Sequence, residues 1–266
     1  MRRSSSVARF LTSAAVAALF AVTLCGCQTT SDITGSLTPK AASTDPRRVA
    51  ELAGERYRAN PKDANAALAY GQALRATGQR SQAAAVLEQA SIANPGNKAL
   101  LAAYGRALAD NGDFQTAFDV LSRAHTPDNP DWRILSVQGA VLDQLGRHNE
   151  ARAYYTSALR IVPGEPSVLS NLGLSYMLSK DLPKAEETLR QAYASSKGDS
   201  RIRQNLALVV GLQGRFAEAE EIVKADLPPE EAAANVAYLK QMLSHKDSPG
   251  TPAAKPIPMA SLGQPE

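Results

Sequence analysis

Between residues 64 and 233, apolar residues recur both at helical spacing and, over a longer interval, at fixed places. In the stretch NLGLSYML, Leu172 and Tyr176 lie one helical turn apart and nothing interrupts the chain. The stretch also carries Gly173, although a glycine inside a helix costs roughly 1 kcal/mol relative to alanine. Small residues stand at the same place elsewhere: Gly71, Gly105, Gly139, Gly173 and then Ala207 follow one another at one constant step. A period of about 34 residues is the mark of a solenoid built from stacked helical pairs. Counting each unit from 1, the units start at Ala64, Lys98, Trp132, Pro166 and Ser200, with no insertion or deletion.

The other places keep the same step. Position 20 is Ala83, Ala117, Ala151, Ala185 and Ala219, and position 27 is Ala90, Ala124, Ala158 and Ala192 before it lapses at Asp226. Large residues hold position 24 (Leu87, Leu121, Tyr155, Leu189, Val223) and position 11 (Leu74, Leu108, Leu142, Tyr176, Val210). Two helices per unit are predicted, with the small residue at position 8 facing the alanine at position 20 so that the backbones approach closely. The first helix should end near position 15, where Gly78, Gly112, Gly146 and Gly214 readily take a left-handed conformation. Lys180 stands there in the fourth unit and predicts a strained or differently shaped turn. Position 32 is Pro95 and Pro163 but Asn129 and Lys197 at the other junctions, with Pro130 one residue late, which predicts blunter turns.

These residues resemble the tetratricopeptide repeat. The expected fold is all-α, a tetratricopeptide-repeat (TPR) solenoid of five helical hairpins over residues 45–243. Asp45 and Pro46 open a leading half-repeat with Val49, Leu52, Ala53 and Tyr57 on one face, and residues 229–243 form a capping helix. Residues 244–266 are proline-rich and unperiodic, a composition that favours disorder.

The front of the chain follows another logic. Arg2, Arg3 and Arg9 accompany the run AAVAALFAVTL, which is too short for a permanent span and the right size for an export signal over residues 1–26. The signal ends in LCGC, where Leu24, Gly26 and Cys27 resemble the lipobox of bacterial lipoproteins. That resemblance implies lipidation of Cys27, and Gln28 after it implies sorting to the outer membrane, with the folded part facing the periplasm. Residues 27–44 read as a flexible tether. Cys25 would leave with the signal, so no thiol remains for a disulfide, a metal or catalysis. Loss of three arginines from a segment without acids takes 29 basic against 26 acidic residues to balance, and the electrostatic case for nucleic acid disappears.

No catalytic constellation emerges, and no cofactor, metal or small-molecule substrate is expected. His125, His148 and His245 fall at element ends with no neighbouring thiol or obvious carboxylate partner, and are expected to be solvated. Protein partners are expected instead. The resemblance places docking on the inner side, at positions 2, 5, 6, 9, 12 and 13 of each first helix. In the first two units these give Asn65, Gln72, Arg75, Arg106 and Asp110; toward the C-terminal end they turn apolar, with Leu174, Met177, Leu178, Leu208 and Leu212. Asn171 and Asn205 share position 6, and the strings NLGL, NLAL and NVAY align Asn235 and Tyr238 with them. The expected partner groove is therefore Asn171, Leu174, Met177, Leu178, Asn205, Leu208, Leu212, Asn235 and Tyr238. The alternative is that the asparagines bond carbonyls of neighbouring helices and the apolar residues pack beneath the terminal helix. Ser136 and Ala140 stand where a chaperone-type carboxylate clamp needs Lys and Asn, so capture of a free C-terminus is not expected.

Taken with the lipobox, the stretches YGQALRATGQRSQAAAVLEQA, PSVLSNLGLSY and DLPPEEAAANVAYLKQML resemble the TadD-like tetratricopeptide lipoproteins of tight-adherence (Flp) pilus systems. The resemblance implies a non-catalytic, pilotin-like accessory that acts with the pilus secretin and its assembly proteins. A general periplasmic scaffold for envelope or cell-wall enzymes is the competing expectation.

Overall fold

The structure is a computed structural model that describes residues 45–246, Lys197 excepted. The expected export signal, Cys27 and its tether lie outside the described residues, as do residues 247–266 and the side chain of His245. Twelve helices are described. The first helices of the five units are α2 (Ala64–Ala76), α4 (Lys98–Asn111), α6 (Trp132–Gln144), α8 (Pro166–Leu178) and α10 (Ser200–Leu212). Their partners are α3 (Arg80–Ala93), α5 (Phe114–Ser122), α7 (His148–Ile161), α9 (Leu182–Ser195) and α11 (Phe216–Val223). The array is led by α1 (Pro46–Ala59) and closed by α12 (Pro229–Lys246), which continues past its expected end at residue 243.

Each helix packs on the next in the chain, and α2, α4, α6, α8, α10 and α12 also touch one another in succession, whereas the second helices make no such row. The row of first helices is thus the inner face. Local chemistry starts every one of them. Asp63, Asn97, Asp131, Glu165 and Asp199, all at position 34, each accept a backbone N–H of the helix that follows. Such caps contribute roughly 1 kcal/mol each.

The small positions do what their spacing predicts, with one refinement. Alanines at positions 20 and 27 are buried throughout. What presses on the glycine, however, is the large residue at position 24. A Cβ added to Gly71, Gly105, Gly139 or Gly173 would lie 2.5–2.6 Å from Leu87, Leu121, Tyr155 or Leu189. The alanine at position 20 contributes through its backbone: the carbonyls of Ala117 and Ala185 would lie 3.4 and 3.2 Å from the same added atoms at Gly105 and Gly173. In the fifth unit the methylene moves across, with Ala207 where the others have glycine and Val223 where they have a larger residue. Asp226, the lapse at position 27, is held by Arg203 of α10 at 2.7 Å, so the intruding charge is paired.

Two turns depart from the pattern. Lys180 takes φ +65°, close to the +75° to +88° of Gly78, Gly112, Gly146 and Gly214. The N–H of Asp181 still reaches Tyr176 O at 2.9 Å, as Arg147 N reaches Leu142 O at 2.8 Å. The turn is therefore the same shape and strained, since a left-handed non-glycine residue costs roughly 1–2 kcal/mol. At the junction after the second unit, α5 ends at Ser122, short of the other units' second helices except α11. Pro127 cannot continue a helix, because its ring meets the carbonyl four residues back and it has no N–H to donate.

Between α9 and α11 an acid collects three donors. Glu186 accepts from Arg215, from Gln213 Nε2 at 2.8 Å and from Arg190 Nε at 2.8 Å. The Arg215 guanidinium, first among these, holds its carboxyl at about 2 against an ordinary 4.5, while burial opposes the shift. The folded-state pKa is depressed, so the stabilisation is complete above pH 4.5 and fades as the pH falls toward 2. In urea titrations the stability gap between the native protein and Glu186→Gln should be widest near neutrality and close across that acid window. A gap indifferent to pH would show that the charge is not what matters.

The inner face and its groove

The inner face is not uniform. Across the first four units it forms a cavity of about 480 Å³ lined by residues of α2, α4, α6 and α8. Its floor is alanine: Ala99, Ala102 and Ala103 of α4 with Ala140 of α6. Side chains this short leave volume above them. The walls are polar and charged. Arg75 of α2 donates through Nε to Asp110 of α4 at 2.6 Å, and this pair ties two units together with both side chains mostly buried. Asp131 accepts the backbone N–H of Arg133 at 2.8 Å and so starts α6 at the groove's edge. The Arg133 guanidinium lies over the Trp132 ring at 4.4 Å, a cation–π geometry.

Arg106, on α4, is different. It forms no hydrogen bond or ion pair among the described residues, yet it lines the cavity and is only partly exposed. Burial pushes its guanidinium below the ordinary 12.5, Arg75 pushes the same way, and Asp131 and Asp110 pull back more weakly. An arginine stays charged at neutral pH regardless. Among the described residues of this lining, Arg106 is thus the cation with neither a bonded carboxylate nor a ring beneath it.

The residues expected to form the partner groove lie mainly outside this cavity. Of that set only Asn171 lines the cavity. The Asn171 amide donates to Ser136 Oγ at 3.2 Å and the Asn205 amide to Ser170 Oγ at 3.1 Å. Both amides therefore hook one first helix to the preceding one, through a partner 35 residues back. Leu174, Met177, Leu208 and Leu212 are half-buried, and Leu178, Asn235 and Tyr238 are exposed. Met177 packs with Val236 of α12 on one core cluster, and Leu239 of α12 fills the space above Gly211, where an added Cβ would meet it at 2.5 Å. The last helix thus packs on this end of the array at Met177 and Gly211. Arg75, Arg106 and Asp110 stood at inner positions in the sequence pattern; Trp132 and Arg133 at positions 1 and 2 of the third unit were missed, although the chain's one tryptophan was a visible signal.

A second polar cluster is buried between the third and fourth units. Asp143 accepts from Tyr155 OH at 3.0 Å, from Ser175 Oγ at 2.8 Å and from His148 Nδ1 at 2.8 Å. Burial, then the nearby carboxylate, raise the Tyr155 phenol well above its ordinary value. His148 therefore has a carboxylate partner, contrary to the sequence expectation. His125 is also engaged, with Nε2 at 3.0 Å from Gln138 Oε1. Through Ser175 of α8 and Tyr155 of α7 the Asp143 carboxylate of α6 locks the third unit to the fourth.

With twelve helices in this order and glycines notched against the large residue of their own hairpin, the fold is a TPR solenoid. Two family models, both described as tetratricopeptide repeat, match residues 68–131 and 144–207, which makes the chain a tetratricopeptide-repeat protein. Similar solved structures include PilW, titled a widely conserved type IV pilus biogenesis factor, at 18% identity and TM-score 0.64, covering 73% of this chain and 91% of that one. PilF of Pseudomonas aeruginosa is similar at 17% identity and TM-score 0.55, with 72% and 95% covered. A chain of the APC/C hetero-tetramer Cut9–Hcn1 is similar at 18% identity and TM-score 0.62, covering 77% of this chain but only 41% of its own length. These identities show a shared fold. No curated protein sequence matches the chain.

Proposed function

We propose that this protein is a non-catalytic scaffold, lipid-anchored through Cys27 to the outer membrane and facing the periplasm, which binds the secretin or other assembly proteins of a tight-adherence pilus. The observation that carries the binding role is the inner groove of α2, α4, α6 and α8, concave, alanine-floored and edged by charged side chains, a form suited to an extended protein segment. The lipobox-like LCGC and the tight-adherence resemblance of the repeats support the location and the system. The similarity in fold to PilW, a type IV pilus biogenesis factor, points the same way.

The test is genetic. Deleting the gene should abolish surface pili and deplete secretin multimers in membrane fractions, and a copy carrying Cys27→Ser should fail to restore them. Wild-type piliation with normal secretin multimers in the deletion strain would reject this role. Normal secretin accompanied by altered cell-wall enzyme activity would favour the envelope-scaffold reading.

A further inference from the structure

We infer that the inner groove of the first four units takes an extended internal segment of a partner protein carrying an aspartate or glutamate side chain, which pairs with Arg106. This rests on the reading that the inner face is the docking face. The groove holds three guanidinium groups, of Arg75, Arg106 and Arg133, against two carboxylates, of Asp110 and Asp131. Arg75 is bound to Asp110, Asp131 caps α6, and the Arg133 guanidinium stacks on Trp132. Of the three guanidinium groups only that of Arg106 has neither an ion pair nor a ring contact among the described residues, and it stands on the second of the four helices, within the groove.

A partly desolvated cation with no acceptor bonded to it is costly, and a carboxylate offers a planar acceptor that can take two guanidinium N–H groups at once. The alanine floor leaves room for a backbone to approach, and Gln72 and Asn171 in the lining offer further polar contacts. At roughly 9 Å between neighbouring helices, the row from α2 to α8 is about 27 Å long, which an extended chain crosses in about eight residues. A segment that long passes the Arg106 site with chain continuing on both sides. The carboxylate is therefore that of a side chain.

Arg106→Glu breaks no hydrogen bond or ion pair but sets a carboxylate near Asp110 and Asp131; circular dichroism and the melting temperature check that it folds, and the neutral Arg106→Gln, which should weaken the same peptides, takes its place if it does not. Peptides of about 12 residues, acetylated and amidated so that they carry no terminal charge, would be displayed as a random library and panned against the purified full-length protein. Binding would be read from the fluorescence of Trp132, the single tryptophan, which lines the groove. The selected peptides should be enriched in Asp or Glu at one place, and Arg106→Glu should weaken them roughly 30-fold or more. Changing that acid to Lys should weaken binding to the native protein and restore binding to the variant. Peptides selected without acidic enrichment, or bound equally by the folded variant, would overturn the acidic assignment and leave the docking face standing. Binding that requires a free terminal carboxylate would also overturn it. A library from which nothing is selected would overturn both.

Discussion

Gly105→Ala should destabilise the protein by about 1–2 kcal/mol, even though alanine is the better helix former. The added methyl carbon would lie 2.5 Å from Leu121 Cγ, with the backbone carbonyl of Ala117 at 3.4 Å closing off retreat. Leu121 is fully buried and meets the added carbon at Cγ, near the root of its side chain, which puts the clash toward the costly end. Overpacking a core of this kind costs roughly 1–3 kcal/mol, against a propensity gain of roughly 1 kcal/mol. The protein contains its own repair. In the fifth unit Ala207 occurs with Val223, so Gly105→Ala combined with Leu121→Val copies an arrangement already present in the chain. Urea denaturation of the two single variants and the double variant should show the second substitution recovering much of the loss caused by the first. Simple addition of two losses would mean that the glycine is not notched against position 24.

Asp143→Ala should cost more, about 3 kcal/mol for two stranded donors. The carboxylate sits between the third and fourth units and accepts from Tyr155, Ser175 and His148. His148 can turn toward water, but Tyr155 is 1% exposed and Ser175 is 0% exposed, so both hydroxyls would lose their acceptor where no solvent replaces it. Each unsatisfied buried group costs roughly 1–3 kcal/mol. The explanation has its own control: in a Tyr155→Phe/Ser175→Ala background the stranded hydroxyls are already gone, and the same Asp143→Ala change should cost much less. An equal cost in both backgrounds would assign the loss to packing.

The repeat was readable because its places are set by steric demand, which recurs whenever the same hairpin recurs. Glycine at position 8 and the large residue at position 24 form one contact made four times, and the fifth unit's exchange keeps the volume. The helix caps at position 34 were as regular but easy to pass over, since aspartate, asparagine and glutamate alternate there. The groove was harder to locate. An apolar stripe on α10 looks the same whether a ligand or α12 covers it, and α12 lies outside the register of the repeat. Asparagine at position 6 likewise looks free until its neighbour is placed, and Ser136 and Ser170 then take both amides. The solitude of Arg106 was invisible for the same reason. Whether a charge is paired depends on distances between units, which no single repeat encodes.

The same break in register bears on how such a chain can lengthen. From α2 to α10 every first helix begins one full period after the one before, but α12 begins early, at Pro229, where the period would wait until Ala234. Leu239 seats this helix over Gly211. Duplication of an interior module would reproduce joints that already exist, since each unit rests only on its neighbours. A copy appended behind α12 would follow a helix out of step with the period and so would reproduce no joint described in the array. The C-terminal helix therefore acts as a full stop, and insertions that extend the array belong upstream of it.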